Sequence, residues 1–372
     1  MQSRAQTLFR SGLRRYNRLM TQKLYYEPAG FTSALPGALP LGGSRTTRFT
    51  TAICCRRSAS GVEREILSAE ELPSEVKAAL TKPRPDLAGV SMTRPSIMGI
   101  VNVTPDSFSD GGDRFDSGRA VADGLAMWSA GADFIDVGGE STRPGSEPPT
   151  LEEELRRVVP VVKGLASQGV RVSVDTRRAA VMAEAASAGA AIINDISALT
   201  SEPEALSVAA ESGLPVILMH MRGEPRTMQV APRYDDVVLD VYDYLAQRIE
   251  ACQEAGIALS RLCVDPGVGF GKTAAHNVEL VARLAVFHGL GCPLLLGVSR
   301  KSFIGKFSQG ESPKDRVAGT LAVTLAGVLR GAQIHRVHDV QEALQALALW
   351  RAVEDAGMER SAPVASRAED EE

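Results

Sequence analysis

Short apolar runs and amphipathic segments alternate along most of this 372-residue chain. Each apolar run has the length of a buried β-strand, and the intervening segments repeat their apolar residues with helical spacing. Eight such runs lie at 97–101, 134–137, 170–174, 191–194, 215–219, 262–264, 294–298 and 334–337. Eight alternations of strand and helix predict an α/β fold of the TIM (β/α)8 barrel type. A doubly wound open sheet is the alternative, and it seldom has so many evenly spaced units.

Polar residues stand where the predicted strands end. In a TIM barrel the C-terminal ends of the strands form one rim, and the chemistry of such proteins lies at that rim. The polar residues at these ends are Asn102, Asp175, Asn194, Asp265, Ser299, Lys301, Arg336 and His338. The sequence therefore predicts a ligand site at the mouth of the barrel.

Two long polar loops follow the first and second predicted strands. The first, VTPDSFSDGGD, combines loop-forming residues with a phenylalanine, Phe108, which packing alone would not require. The second contains Thr142 and Arg143 in the sequence GGESTRPG. We interpret both loops as functional and expect Arg143 to cover a substrate, although a surface salt bridge is the simpler role for one arginine.

The first 60 residues differ in composition from the rest of the chain. They contain ten Lys or Arg and a single acid, Glu27, with many Ser and Thr. This composition is typical of an organelle transit peptide, so residues 1–60 are predicted to direct the protein to the mitochondrion, with the plastid or the cytoplasm as alternatives. Residues 61–90 are predicted to form a linker with one short helix near 70–80. The barrel is assigned to 91–355, after a disordered N-terminal extension, and 356–372 to a disordered acidic tail.

Charge and composition exclude several other classes of protein. The net charge of −4 and the pI near 5.9 argue against a nucleic-acid-binding surface, which is normally basic. No apolar run is long enough to span a membrane. The five cysteines show neither metal-ligand spacing nor a disulfide pattern, so they are interpreted as reduced thiols.

The polar strand ends divide into two chemical sets. Asp175, Asn194 and Asp265 offer carboxylate and amide groups with no obvious arginine partner, which suits a ligand edge rich in N–H donors. A lone Asp in such a place is more often a helix N-cap, and the functional interpretation depends on the three together. Arg336 and His338 share one face of a strand and suit a phosphate or diphosphate.

The segment DPGVGFGKT resembles a phosphate-binding loop but lacks the spacing of a Walker A motif. ATP binding is therefore not predicted. Lys272 or Lys301 could serve as the Schiff-base lysine of an aldolase. The surrounding Asp, Asn and Asp residues make this alternative weaker without excluding it.

Eight motifs, in order and spacing, closely resemble the dihydropteroate synthase family. They are NVTPDSFSDGG, DVGGESTRPG, SVDTRR, IINDI, LMHM, DPGVGFGK, GVSRKSFIG and RVHDV. The resemblance covers residues 96–355. It implies a transferase of folate biosynthesis that condenses 6-hydroxymethyl-7,8-dihydropterin diphosphate with 4-aminobenzoate, giving 7,8-dihydropteroate and diphosphate. It further implies Mg²⁺, small-molecule substrates, a homodimer and a sulfonamide target.

The resemblance also assigns roles to individual residues. It implies that the pterin is bound by Asp175, Asn194, Met219, Asp265 and Lys301, with Arg336 stacked on it. It implies that the aminobenzoate site is shaped by Thr142, Arg143, Phe270, Ser299 and Lys301. Diphosphate is assigned to Asn102, Arg336 and His338, with Asn102 also contacting the metal. Lys301, Asp110 and Arg143 are the expected catalytic residues, and the loop with Phe108 and Asp110 is expected to close over both substrates.

Two departures and two rival functions accompany this resemblance. Val268 stands where many relatives carry Phe or Ile, and local repacking is expected there. Many eukaryotic relatives also carry a pyrophosphokinase domain, for which residues 1–90 are too short, so the pterin substrate is expected to come from another protein. The rivals are a pterin-dependent methyltransferase and an inactive barrel that binds folates.

Overall fold

The computed structural model describes residues 23–33, 35, 37–103, 117–141, 147–224 and 227–361. Three predicted site residues, Asp110, Thr142 and Arg143, and also Phe108 lie outside the described residues. Eight parallel strands form a nearly closed barrel, which confirms the predicted fold.

The elements are numbered in chain order. The strands are β1 (Leu24–Thr32), β2 (Leu39–Pro40), β3 (Arg48–Ser58), β4 (Gly61–Ser68), β5 (Ser96–Asn102), β6 (Phe134–Gly138), β7 (Val172–Asp175), β8 (Ile192–Asp195), β9 (Val216–Met219), β10 (Leu262–Asp265), β11 (Leu295–Leu296) and β12 (Ile334–Val337). The helices are α1 (Ser74–Thr81), α2 (Ser117–Ala130), α3 (Leu151–Ala166), α4 (Ala179–Ser187), α5 (Ala205–Glu211), α6 (Val237–Glu254), α7 (Ala274–Ala282), α8 (Ser302–Phe307), α9 (Val317–Leu329) and α10 (Val340–Ser361).

Strands β5 to β12 form the barrel. Each strand from β5 to β9 pairs in parallel with the next, and β12 pairs with both β5 and β11. A parallel bridge between Val264 of β10 and Leu294, the residue before β11, joins the two ends of the sheet. The C-terminal ends of all eight strands therefore meet around one mouth.

Amphipathic helices cover the outside of the barrel, and α3 shows why they form. Its buried residues Val158, Val161, Val162 and Leu165 recur with a helical period and face the strands. The Thr150 side chain accepts a hydrogen bond from the backbone of Glu153 and so caps the N-terminus.

Alternation along the strands determines which side chains enter the barrel. A layer of buried interior residues, here called the floor, consists of Met98, Phe134, Ile192, Ile217, Cys263, Leu295 and Ile334. The residues two positions after the floor residues are Ile100, Asp136, Asn194, Met219, Asp265, Gly297 and Arg336. These residues share the inward direction and form the next layer, towards the mouth.

A tight hairpin covers the other end of the barrel. The backbones of Leu87 and Val90 exchange two hydrogen bonds across Ala88 and Gly89, both of which have positive φ angles. Leu87, Val90 and Met92 are buried and pack against the floor. The predicted boundary at residue 91 is thus wrong, because residues 87–90 already belong to the barrel core.

Residues 24–81 form a small sheet and a helix, so the N-terminal extension predicted over 1–60 is folded from residue 24, and the predicted linker over 61–90 contains a strand and a helix. Strand β3 is central; β1 pairs with one edge, and β2 and β4 pair with the other. A separate core holds this unit against the barrel through Leu41, Phe49, Ala52, Ala69, Leu72, Leu80 and Ala285. The predicted short helix is observed as α1.

Basic residues of this sheet pair with acids of α6, which explains why composition alone was misleading. Arg57 binds Asp240 at 2.7 Å, and Arg64 binds Asp236 at 3.2 Å. The partners are 183 and 172 residues apart in the chain. A stretch that is rich in arginine and poor in acid therefore has its counter-charges elsewhere in the fold.

The two ends of the chain need one correction and leave one open prediction. Helix α10 continues to Ser361, so the expected disordered tail does not begin at 356. Residues 1–22 lie outside the described residues. Mitochondrial targeting stays a prediction about this stretch, which import of a reporter fused to residues 1–22 would test. In the part of the chain that the structure describes, no helix has the length and apolar character of a membrane span.

Replacement of Arg283 by methionine should weaken the contact between the sheet and the barrel. Arg283 is largely buried and binds Glu27 at 3.0 Å, Asp236 at 3.0 Å and Glu279 at 2.9 Å. Its loss leaves two buried carboxylates without this partner, which should lower the free energy of unfolding by about 3 kcal/mol. Denaturant titration measures the change.

The matched control is Arg56→Met, which breaks a single exposed pair with Glu63 within the sheet. An exposed pair contributes little to stability, because water and salt screen both charges. Equal losses in the two variants would contradict the assigned role of Arg283.

Candidate active site

Arg336 of β12 joins two carboxylates at the barrel mouth. Its Nε donates to Asp136 Oδ2 at 2.6 Å, and a terminal nitrogen donates to Asp175 Oδ2 at 2.7 Å. The Asn194 side-chain nitrogen lies 3.3 Å from both oxygens of Asp136. Asp136 is fully buried, so its charge is compensated by these two donors and not by water.

The carboxyl group of Asp175 responds to the same surroundings. Burial raises its pKa to about 7, and Arg336 opposes this rise while Asp136 adds to it. N–H donors of a ligand would favour the charged form of such a group. Asp175 is therefore suited to bind a ligand edge that carries several N–H groups.

This cluster corrects one expectation and adds a residue. The expectation that no arginine lies beside the carboxylates is wrong, because Arg336 reaches them from the last strand. Asp136 is absent from the predicted set of site residues. Its position two residues after Phe134 of the floor was the available signal, since this spacing puts it on the inner face.

Asp265 borders the same opening from β10. It is buried, and one of its oxygens accepts a hydrogen bond from the backbone of Gly267 at 2.7 Å. A side-chain carbon at Gly297 would lie 3.8 Å from Asp265 Oδ2 and 3.9 Å from both Arg336 Cβ and Lys301 Nζ. The missing side chain of Gly297 thus leaves space between an acid, an arginine and a lysine.

Lys301 and Phe270 form a second part of the site. The Lys301 ammonium donates to the backbone carbonyl of Val268 and lies 4.7 Å from the centre of the Phe270 ring. Burial lowers the pKa of Lys301 to about 8, although Asp265 opposes this effect. A cation beside an aromatic face fits a flat aromatic ligand that carries negative charge.

Lys272 has a different environment, which argues against a role for it as a Schiff-base lysine. Its Nζ lies 2.9 Å from His220 Nδ1 and donates to the carbonyls of Gly267 and Phe270, each at 2.9 Å. The side chain is buried, and this burial lowers the pKa of Lys272 well below its ordinary value. With its amine bound to these groups, Lys272 holds the backbone and is not presented to the opening.

The other predicted residues that the structure describes also lie at the C-terminal ends of the strands. Ser299 Oγ accepts a hydrogen bond from the backbone of His338 at 3.1 Å and lies 3.0 Å from its Nδ1. Met219 is buried at the end of β9. Asn102 is half-buried at the end of β5. The topology therefore brings these residues to one rim, and the role of each residue stays a prediction.

A magnesium ion is compatible with this rim. Among the described residues there is no group of three or more His, Cys, Asp or Glu side chains arranged for a metal. Mg²⁺ commonly keeps several waters and binds phosphate oxygens together with one or two protein oxygens. The amide oxygen of Asn102 is such a ligand, so the residues present fit a metal that is held mainly by a diphosphate.

Comparison with known proteins identifies relatives of the whole barrel. The sequence profile of a family described as pterin binding enzyme matches residues 98–338. The chain is 52% identical to the dihydropteroate synthase of Escherichia coli (strain K12) over 259 residues, which cover 69% of this chain and 91% of that protein.

Two solved structures give the same result. The Xanthomonas albilineans dihydropteroate synthase with 4-aminobenzoic acid has a TM-score of 0.69 and 50% identity, covering 73% of this chain and 98% of that chain. The same organism's enzyme in complex with 7,8-dihydropteroate has a TM-score of 0.66 and 48% identity, covering 73% and 99%. Because the match includes the barrel and nearly the full length of these relatives, the chain belongs to the pterin-binding enzyme family and, within it, to the dihydropteroate synthases.

Proposed function

We propose that the protein condenses 6-hydroxymethyl-7,8-dihydropterin diphosphate with 4-aminobenzoate, giving 7,8-dihydropteroate and diphosphate. The observation that carries this proposal is the pairing of an acceptor-rich pocket with a separate cation-and-aromatic site. Asp175, Asn194 and Asp265 supply the acceptors, and Lys301 with Phe270 forms the second site. The two parts meet at the space beside Gly297.

Each substrate has a matching surface. A dihydropterin presents ring N–H and amino groups along one edge, and these groups can donate to Asp175 and Asp265. The ring of 4-aminobenzoate can lie against Phe270 while its carboxylate benefits from the Lys301 charge. Sequence resemblance adds Thr142 and Arg143 to the aminobenzoate site, and Asp110 to the loop that closes over both substrates.

The diphosphate belongs on the side of the mouth that carries Asn102 and His338. The negative charge of the diphosphate is best stabilised by hydrogen-bond donors at the strand ends. Bound Mg²⁺ would neutralise part of that charge. Arg336 is occupied by Asp136 and Asp175 in this structure. We infer that Arg336 balances these acids beneath the pterin and presents its remaining N–H groups to the ligands.

The reaction needs no covalent nucleophile from the protein. The bond from the pterin methylene carbon to the diphosphate oxygen breaks, and its electron pair leaves with the diphosphate. The amine nitrogen of 4-aminobenzoate then forms a bond to that carbon and loses a proton. The carboxylates of Asp175 and Asp265 stabilise the positive charge that develops on the pterin, and loop closure would exclude competing water.

Purified full-length protein should convert pterin diphosphate and labelled 4-aminobenzoate to labelled dihydropteroate only when Mg²⁺ is present. Lys301→Ala should lower kcat/KM by about 100-fold or more, because its charge acts on the substrates and not on the core. The exposed Lys306 of α8 provides the control, and Lys306→Ala should behave as wild type.

Circular dichroism of Lys301→Ala should remain that of wild type, and unfolding of this variant would contradict a role at the site. Bound pterin diphosphate without product would favour an inactive folate-binding barrel. Methyl transfer from methyltetrahydrofolate would favour the methyltransferase.

The pH dependence of turnover should report the charge of Lys301. Since burial lowers its pKa to about 8, the amine loses its proton as the pH rises through this value. We expect kcat/KM to fall above about pH 8, because this parameter follows the ionisation of the free enzyme. Lys301→Arg should remove this decline even if the rate is lower, since arginine stays charged. A decline near pH 8 that persists in this variant would assign it to another group.

We also propose that the protein is a homodimer, in which α10 pairs with its counterpart. Leu349 and Val353, one helical turn apart on α10, are 64% and 69% exposed. Apolar residues grouped in this way commonly mark an interface, and twofold dimers are the commonest assemblies.

The double variant Leu349→Glu/Val353→Glu should halve the mass measured by sedimentation. Ile66→Glu, at an equally exposed residue of β4, should leave the mass unchanged. A wild-type protein that sediments as a monomer would contradict the proposal.

A further inference from the structure

Residues 267–271, of sequence GVGFG, form a loop whose backbone carbonyls all accept side-chain hydrogen bonds; we call it the carbonyl loop. Lys272 binds the carbonyls of Gly267 and Phe270, each at 2.9 Å. Lys301 binds the carbonyl of Val268. Both lysines therefore donate hydrogen bonds to carbonyls of this loop. Lys301 does so from the candidate active site.

The two remaining carbonyls are bound by a different segment, residues 227–236, which we call the strap. Gln229 Nε2 donates to the carbonyl of Gly269 at 2.6 Å, and Tyr234 Oη donates to the carbonyl of Gly271 at 2.8 Å. The Tyr234 ring is itself held beneath the Arg222 guanidinium, whose centre lies 4.9 Å from the ring centre. The strap thus contacts the carbonyl loop on both sides of Phe270.

The shape of the carbonyl loop depends on its glycines. Gly267, Gly269 and Gly271 have φ angles of 67°, 89° and 64°, which side chains other than glycine rarely adopt. A side-chain carbon at Gly267 would lie 1.9 Å from the His220 carbonyl oxygen. A backbone this rich in glycine has little rigidity of its own, so its position is determined by the surrounding hydrogen bonds.

Two contacts connect the strap to the aminobenzoate site. Gly269, the partner of Gln229, packs against the Lys301 side chain, whose Cδ would be 3.0 Å from a carbon added at Gly269. Phe270 lies between the two carbonyls that the strap binds and carries the ring beside the Lys301 ammonium. By contrast, Asp175 and Asn194 are bound to Arg336 and Asp136, whereas the third acceptor, Asp265, accepts from the backbone of Gly267 in the carbonyl loop.

We propose that Gln229 and Tyr234 are positioning residues that fix Phe270 and Lys301 for 4-aminobenzoate through the carbonyl loop. This inference rests on the proposed function above. Each residue acts through a backbone carbonyl of the loop, Gln229 at Gly269 and Tyr234 at Gly271. Loss of either hydrogen bond should therefore weaken aminobenzoate binding more than pterin binding, because Asp175 and Asn194 are held by Arg336 and Asp136 and not by the loop.

Two variants test this role with little change of volume. Gln229→Glu replaces the donor by an acceptor at an exposed position, and Tyr234→Phe removes only the hydroxyl group. Gln229→Lys restores a donor and should rescue the first variant. The controls are Gln168→Glu, which adds the same charge after α3, and Tyr244→Phe, which removes a similar hydroxyl bond to the Ser197 carbonyl.

We expect KM for 4-aminobenzoate to rise about three- to tenfold in Gln229→Glu and in Tyr234→Phe, the effect of one hydrogen bond. KM for pterin diphosphate should rise less than KM for 4-aminobenzoate, and both controls should match wild type throughout. Amide hydrogen exchange offers a readout that needs no turnover. The peptide covering residues 266–272 should exchange faster in the two variants and at the wild-type rate in the controls.

The outcomes separate this inference from the proposed function. Equal changes in KM for both substrates, or unchanged hydrogen exchange in the carbonyl loop, would overturn the positioning role. If the wild-type protein forms no dihydropteroate, the proposed function fails. Faster exchange in the two variants would then still show that the strap holds the loop, while the role in aminobenzoate binding would be lost.

Discussion

The charge of Asp136 is the constraint on which the barrel mouth depends. This carboxylate is fully buried, and an unpaired charge at that depth would cost several kcal/mol. Its partners are Arg336 and Asn194, so one acid of β6 requires β12 and β8 to stand at a defined register. Arg336 also reaches Asp175. Asp175 and Asn194, two of the proposed pterin acceptors, are therefore held in place by the same interactions that neutralise the interior.

Two lysines near one loop show how contacts, and not residue type, determine a role. Lys272 is buried under backbone carbonyls and beside His220, and it serves the shape of the loop. Lys301 binds the same loop but lies beside Phe270 and the opening at Gly297. A sequence reading could propose both as reactive amines. Their surroundings leave this role open only to Lys301. Its positive charge is better suited to the binding of an anionic substrate.

The barrel and most of its rim could be predicted because strand alternation is a local property of the sequence. Asp175, Asn194 and Asp265 end apolar runs, and a closed barrel must gather such ends. The contact of Arg336 with Asp136 could not be predicted, since it joins residues 200 positions apart. The N-terminal sheet was not predicted for the same reason. Arg57 and Arg64 pair with Asp240 of α6 and with Asp236 at its N-cap, which are too far along the chain for local composition to indicate.

The sheet and the site are connected through Asp236. This residue caps α6 by accepting from the backbones of Val238 and Leu239, and it ends the strap that holds the carbonyl loop. Its other partners are Arg283, which follows α7, and Arg64 of the sheet. The sheet lies outside the family match of residues 98–338, yet its arginine shares an acid with the segment that supports Phe270. Asp236 thus links the sheet to the strap that contacts the loop carrying Phe270, since it binds Arg64 and Arg283, caps α6 and ends the strap.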